Sequence, residues 1–247
     1  YVLHVASLST IATPETAHVH TLNAVKADEI TLTKEKVDRL IKKIKPLSNR
    51  KKHRFIGITE YDFLVDAVRN IVEKKKIDLI VMGTKGASGL KEVIIGSNAG
   101  DIITRVNCTA LVVPENAVYK PITEIAFPTD FSLFYNIKTL RPLLKILHDT
   151  GASIKMLYIS KDKAELNDEQ NQNKELFKEF FNECNCSFHR LTNKKVEDAV
   201  QCFVESRNID LIAMVAKNLN YFQQILFHTK VEKISYHTDI PFLVLHG

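Results

Sequence analysis

Two stretches of this chain are copies of one another, and that constrains its fold more than any other feature. Residues 65–85 read VDAVRNIVEKKKIDLIVMGTK and residues 197–217 read EDAVQCFVESRNIDLIAMVAK. Asp66 falls on Asp198, Asp78 on Asp210, Met82 on Met214 and Lys85 on Lys217, always at an offset of 132, and about half of the positions are identical. The register continues without a gap, so that CTALVVP (108–114) lies over IPFLVLH (240–246). Two copies at this spacing indicate a duplicated domain, because solenoid units recur at only ~20–50 residues.

Each copy alternates strand and helix. In the second, ITEIAF (122–127) reads as a strand ending in the turn PTDFS (128–132). Residues 133–149 then carry Leu140, Leu143, Leu144 and Leu147 at helical spacing, with Pro142 as a kink or a new helix start. SIKMLYI (153–159) is a strand, and 168–183 a helix with Leu176, Phe177, Phe180 and Phe181 on one face. CSFHRL (186–191), helix 196–207, DLIAMVA (210–216), helix 222–237 and PFLVLH (241–246) complete the copy. The first copy reads YVLHVA, a helix near 33–47 with Val37, Leu40, Ile41, Ile44 and Leu47 on one face, HRFIGI (53–58), helix 61–75, IDLIVMG (77–83), helix 97–106 and ALVVP (110–114). Continuously apolar strands between helices predict a parallel sheet covered on both faces. The link between the copies falls near 115–121.

The copies differ at two places. Aligning Leu3 with Leu157 leaves roughly thirty residues of the second copy, 122–153, without a counterpart, so the first copy reads as lacking its first strand and helix. This is expected of a fragment rather than of a natural start. Conversely, SLSTIATPETAHVHTLNAVKADE (7–29) has no counterpart before helix 168–183; it is either a partner-binding or lid loop, or a tolerated surface insertion.

The bulk numbers exclude several classes. No run reaches the ~20 apolar residues of a membrane helix. The apolar start YVLHVASL has no basic region before it and reads as a strand, not a signal peptide. Cys108, Cys184, Cys186 and Cys202 are too scattered for a disulfide framework or a paired zinc motif, and are expected as thiols in a reducing cytoplasm. The net charge of +5 includes the runs KKIKP (42–46) and RKKHR (50–54). Without interleaved aromatics these read as a lysine-rich helix face and a polar turn, so no nucleic-acid partner is expected.

The chain has only 8 glycines, and five of them, Gly83, Gly86, Gly89, Gly96 and Gly100, fall within GTKGASGLKEVIIGSNAGD (83–101). Strand IDLIVMG ends at Gly83, and ligands of open parallel sheets bind beyond the carboxyl ends of strands. Glycine there lets backbone N–H groups approach a phosphate closely. Gly96-Ser97-Asn98 then opens a helix, whose free N–H donors favour anions. The spacing matches neither a Walker A loop nor GxGxxG.

GTKGASGLKEVIIGSNAGDII resembles the nucleotide loop of the universal stress protein family, and DLIVMG before it, CTALVVP after it and FPTDFS in the second copy agree. The resemblance covers essentially the whole chain as a tandem pair. It implies two Rossmann-like (adenine nucleotide alpha hydrolase-like) α/β domains, each an open parallel five-stranded sheet with helices on both faces, at residues 1–117 and 118–247. It implies ATP or a related adenine nucleotide (ADP or AMP), with or without magnesium. Carried over residue by residue, the nucleotide-binding positions are Val5, Met82, Gly83, Thr84, Gly86, Gly96, Ser97 and Asn98, with Val5 at the adenine. The family's aspartate after the first strand falls on Asp130, which reads better as a cap or turn residue. The resemblance also implies pairing through the final strands, LVV (111–113) with LVL (243–245), as an internal pseudo-dimer, and allows a homodimer.

In the second copy the loop is gone: Gly83 becomes Val215, Gly86 Asn218, Gly89 Tyr221, Gly96 His228, Ser97 Thr229 and Gly100 Glu232. One competent nucleotide site per chain is therefore expected, in domain 1. Three functions remain open: a nucleotide-binding stress-response regulator, a slow ATP hydrolase or self-phosphorylating enzyme, and a ligand-free dimerisation module. Phosphoryl transfer needs a positioned nucleophile, a charge clamp and usually a metal. Thr84, Lys85, Ser88, Lys91 and Ser97 lie near the loop, Glu92 and Asp101 read as a solvated helix face, and His4 as a packed or surface residue. No catalytic residue and no metal ligand is assigned, and the regulator is the favoured reading.

Overall fold

A computed structural model describes residues 1–6, 19–48, 52–84, 96–132, 136–160, 165–193, 195–216 and 239–247, with 19–30 and 197 described by their backbone alone. The chain forms two compact units, residues 1–75 and 76–247.

The first unit holds β1 (Val2–Ala6), α1 (Val19–Ile44) with a 3-10 turn at Lys45–Leu47, β2 (Gly57–Tyr61) and α2 (Leu64–Lys75). β1 and β2 pair in parallel, from Val2 opposite Gly57 to Ala6 opposite Tyr61. Strand 53–58 was expected earlier in the sequence than the strand that forms. The pairing decides its position: Val2 N–H donates to Ile56 O, and the ladder starts at Gly57. Gly57 also lets α1 lie close, since a Cβ there would stand 2.8 Å from Val37 Cγ1.

α1 is longer than expected. Residues 19–29, read from sequence as loop, continue the helix upstream, consistent with a stretch free of glycine and proline from 19 to 45. Its inward stripe is Thr33, Val37, Ile41 and Ile44, at spacings of four, four and three residues. Leu40 and Leu47, expected on that face, point outward at 47% and 77% exposure. Leu40 sits about 100° around the helix from Ile41, and Leu47 lies beyond the last α-helical turn.

The second unit holds β3 (Ile80–Gly83), α3 (Ser97–Arg105), β4 (Ala110–Val113), β5 (Glu124–Pro128), α4 (Ile137–Thr150), β6 (Ser153–Ser160), α5 (Asp168–Phe180), β7 (Cys186–Thr192), α6 (Val196–Ser206), β8 (Leu211–Val215) and β9 (Phe242–Leu245). Its seven strands lie in the order β3-β4-β9-β8-β5-β6-β7. All neighbours are parallel except β4 and β9.

The sequence repeat recurs in the hydrogen bonds that open and close these strand pairs. Ile80 N–H donates to Thr109 O at 2.9 Å and Ile212 N–H to Pro241 O at 3.1 Å; Thr84 N–H donates to Val113 O at 3.1 Å and Ala216 N–H to Leu245 O at 3.0 Å. Each member of these pairs is 132 residues from its counterpart. The final strands of the copies meet with Leu111 opposite Leu243, Ala110 opposite Val244 and Val112 opposite Phe242. Because 110 corresponds to 242 and 112 to 244, this pairing is self-complementary about Leu111 and Leu243, as at a twofold interface.

Alternation sends one side of each strand to each core. Ala126, Ile212, Met214, Phe242 and Val244 pack beneath α3 and α6, with Ile103, Val200 and Phe203. Ile125, Phe127, Ala213, Val215, Leu243 and Leu245 pack beneath α4 and α5, with Leu140, Leu143, Leu147 and Phe177. Burial on both faces explains why these strands read as unbroken apolar runs. α4 runs as one helix through Pro142. Proline removes a single N–H there, while the Asn136 side chain caps the helix and its leucine stripe is buried. Phe177 in α5 and Phe181 at its carboxyl cap are buried, but Leu176, expected on the same face, is 42% exposed. Residues 222–237, expected as helix, lie outside the described residues.

The second copy places β5 between β6 and β8. Their first-copy counterparts are β1 and β3, and no described strand corresponds to β5. β1 and β2 accordingly form a separate two-stranded sheet, while β3 and β4 join the sheet of the second copy. Among the described residues no helix is long and apolar enough to cross a membrane.

Candidate functional site

β3 ends and α3 begins at the carboxyl ends of β3 and β4. Gly83 closes β3 opposite Val113, and Thr84, buried, continues the ladder. Gly96 N–H donates to Thr84 O at 2.6 Å, so the strand end and the helix start are fastened backbone to backbone. The structure thus brings Met82, Gly83, Thr84, Gly96, Ser97 and Asn98 into one corner. Gly86, Gly89, Lys85, Ser88, Lys91 and Glu92 lie outside the described residues. Val5 belongs to the first unit, on β1 opposite Glu60.

The start of α3 is the chemically informative part. Asn136 caps α4 by accepting from Thr139 N–H, and Asn167 caps α5 in a reciprocal box with Gln170. Gly96 occupies that place in α3 and has no side chain to cap with. Gly100 N–H bonds back to Gly96 O, while the N–H groups of the first turn meet no side-chain cap. Ser97 and Asn98 are exposed on this turn, and Ala99 and Gly100 are buried beneath it. An uncapped first turn carries unpaired donors and the positive end of the helix dipole, which suits an anion.

The matching corner of the second copy is built differently. Val215 occupies the Gly83 position in the same register, opposite Leu245, and its side chain is buried at 2% exposure. The remaining counterparts, Asn218, Tyr221, His228, Thr229 and Glu232, lie outside the described residues. Asp130 is a turn residue: its Oδ1 accepts from Ser132 N–H at 3.0 Å and from Ser132 Oγ at 2.7 Å. Gln170 Nε2 and Asn173 Nδ2 donate to the carbonyls of Asp130 and Phe131, fixing the turn to α5.

Among the described residues no reactive nucleophile stands out. Burial, then the neighbouring Cys184, pushes the Cys186 thiol up to about 11, and burial also raises Cys184 and Cys108. Thiols held protonated are poor nucleophiles. His4 is exposed on β1, and Asp101 pairs with Arg105 at 3.6 Å on an exposed face of α3. Among the described residues no three His, Cys, Asp or Glu side chains gather as a metal seat.

A feature missed by sequence reasoning is a cavity of about 230 Å³ in the second unit, walled by Phe131, Tyr158 and Phe188 and rimmed by Lys174 and Arg190. Lys174 Nζ lies 5.7 Å from the Phe188 ring centre, and the Arg190 guanidinium 5.9 Å from that of Tyr158. These residues come from one turn, two strands and a helix, and no spacing in the sequence announces them.

The model of the universal stress protein family matches residues 1–114. Over 87 residues the chain is 34% identical to universal stress protein MJ0531 of Methanocaldococcus jannaschii, a match covering 33% of this chain and 48% of that protein's length. A universal stress protein from Archaeoglobus fulgidus superposes with a TM-score of 0.68 at 16% identity, covering 98% of this chain and 85% of its own. A second solved structure, from Pseudomonas aeruginosa, gives a TM-score of 0.56 at 12% identity over 99% of this chain and 92% of that one. Both structural likenesses speak for the α/β fold.

Proposed function

Because residues 1–114 match the universal stress protein family, we propose that the first copy (1–117) binds ATP or a related adenine nucleotide and that the second copy (118–247) is a non-binding partner. The phosphates lie against the backbone at Gly83, Thr84 and Gly86 and against the N–H groups of the first turn of α3, with Ser97 and Asn98 beside them; the Thr84 N–H itself is held by Val113 O. Met82, on β3, completes the site. The copies associate through β4 and β9 as an internal pseudo-dimer, and the protein acts as a stress-response regulator read by partners rather than by turnover.

The observation that carries this reading is the contrast between Gly83 and Val215. Both strands hold the same register, 113 opposite 83 and 245 opposite 215. The sheet therefore accepts a buried β-branched residue at this position and does not require glycine for its own geometry. A ligand that approaches the backbone does require it.

The decisive experiment installs the second copy's residues in the first. Gly86→Asn with Gly96→His is expected to weaken adenine-nucleotide binding by calorimetry at least ~100-fold, the loss of two charge-assisted hydrogen bonds. The melting temperature should stay within ~2 °C, because the other copy carries both residues. Undiminished affinity, or collapse of the fold together with binding, would refute the reading. Mass spectrometry of small molecules released by heat from the purified protein should recover about one adenine nucleotide per chain.

A further inference from the structure

We propose that the cavity over β6 and β7 is a second ligand site, and that its ligand is a planar aromatic carboxylate of one or two rings. The ring lies against Phe131, Tyr158 and Phe188, and the carboxylate meets Lys174 and Arg190. This site is independent of the nucleotide corner in the first copy.

The argument begins with where the chain places its cations. Gln170, Asn173, Lys174 and Phe177 follow one another at spacings of three, one and three residues, so they form the stripe of α5 that faces the sheet. Phe177 is buried, while Gln170 and Asn173 donate to the carbonyls of Asp130 and Phe131. Lys174 shares this stripe, is half-buried, and among the described residues forms no ion pair. Its Nζ stands 5.7 Å from the Phe188 ring centre. Arg190 follows Phe188 by two residues on β7, so both lie on one side of that strand. Its register partner on β6 is Tyr158, and its guanidinium lies 5.9 Å from the centre of that ring. Two cations thus stand over aromatic rings at places where apolar side chains would close a core.

The aromatic floor is already assembled. The Phe131 ring centre lies 6.0 Å from that of Tyr158 and 6.2 Å from that of Phe188, with interplanar angles of 32° and 29°. Tyr158 and Phe188 are only half-buried, whereas Phe127, Phe177 and Phe181 of the same core are fully buried.

Charge, size and place select the ligand. Glu165 is the one carboxylate among the described lining residues, so Lys174 and Arg190 leave the cavity positive and suited to an anion. A volume of about 230 Å³ lies below the ~300 Å³ at which drug-sized sites begin, which leaves room for one or two rings but not for a nucleotide. The amino end of α5 is closed by the Asn167–Gln170 box and offers no phosphate the free donors that α3 offers. A guanidinium fork and an ammonium suit a carboxylate. The second copy's equivalent of the nucleotide corner is at Val215 on β8, and β5 and β6 stand between β8 and β7, a separation of about 14 Å at the usual strand spacing.

The probe is indole-3-carboxylate, titrated into the full chain by calorimetry. One molecule per chain is expected to bind with a dissociation constant of ~0.1–1 mM, the range for so few atoms. Lys174→Gln and Arg190→Gln should each weaken binding at least ~tenfold, the loss of a charge-assisted hydrogen bond. Neutral indole-3-carboxamide should bind the wild type at least ~tenfold more weakly and be indifferent to Lys174→Gln, a pattern that a merely structural lysine does not produce. Amide shifts in NMR spectra should centre on Tyr158 and Phe188 rather than on Thr84 and Ser97. The proposal is overturned by no binding at ~10 mM, by equal affinity for the acid and the amide, by unchanged affinity in both variants, or by shifts centred on Thr84 and Ser97. It is equally overturned if AMP displaces the indole and shifts the Tyr158 and Phe188 amides, which would make the cavity a nucleotide site. Arg190 is exposed, so Arg190→Gln leaves the fold intact to be read even where Lys174→Gln loosens α5. Both variants should leave adenine-nucleotide binding by the first copy unchanged, so the two sites are tested apart.

Discussion

Replacing Asp210 with alanine is expected to destabilise the second unit strongly, while the same change at Asp78 leaves it nearly unaffected. The two aspartates occupy equivalent positions in the repeat, which makes each the control for the other. Asp210→Ala removes a buried acceptor of three hydrogen bonds, from Thr123 N–H, Thr123 Oγ1 and Glu124 N–H. Hydrogen bonds to a charged group contribute about 1.5–3 kcal/mol each. The three share one carboxylate and are not additive, and the Lys120 partner is half-exposed and contributes little. A total of about 3–4 kcal/mol is expected. With a urea dependence of about 2 kcal/mol/M, the unfolding midpoint should fall by about 1.5–2 M. The effect should also depend on pH. Burial alone would raise the Asp210 carboxyl, but hydrogen bonds from Lys120, Thr123 and Glu124 outweigh it and hold the carboxyl below the usual aspartate range. Its contribution is therefore complete above the unfolded value near ~3.9 and is lost as pH falls through the folded value, so the gap between wild type and Asp210→Ala should narrow on acidification. A midpoint shift below ~0.3 M, or an equal shift from Asp78→Ala, would show that strand anchoring does not stabilise this sheet.

Burial holds His246 below the ordinary imidazole range despite its backbone partner at Ile103, and burial with nearby Arg207 and Lys155 does the same for His189. Stability should be full above the unfolded value near ~6.5 and decline as pH falls below it; His246→Gln should flatten that decline in denaturation curves from pH 7 to 5, and an unchanged slope would count against it. Gly57→Ala should destabilise the first unit by about 1–2 kcal/mol, because its Cβ would stand 2.8 Å from Val37 Cγ1, and hydrogen exchange in β1 and β2 should quicken selectively. Leu243→Asp places an unpaired charge at the buried centre of the β4–β9 pairing and should cost about 3–5 kcal/mol by urea denaturation, whereas Leu176→Asp, on an exposed face of α5, should cost less than ~0.5 kcal/mol.

The sequence by itself determined the duplication, the strand–helix alternation and the place where glycine replaces side chains. The 132-residue offset became a hydrogen-bond register because each strand's alternation of side chains fixes which residues face each core, and a slip of one would turn them all over. Ile80 and Ile212 therefore pair alike although their neighbours differ. The end of β3 at Gly83 and the start of α3 at Ser97 were legible for a related reason: each is set by residues contiguous in the chain.

Tertiary structure decided what depends on distant partners. The ends of β2 follow from pairing with β1 and from the approach of α1 over Gly57, and the apolar run before it could not reveal them. Leu40, Leu47 and Leu176 fit helical stripes on paper, yet only the surface opposite a helix tells which side of a stripe is buried. The aromatic walls of the cavity come from segments with no common spacing. Asp78 and Asp210 make the point most sharply. They sit in nearly identical sequence, one exposed and one buried under four partners, because a carboxylate's role is set by the strand that lies beside it and not by the residues that precede and follow it.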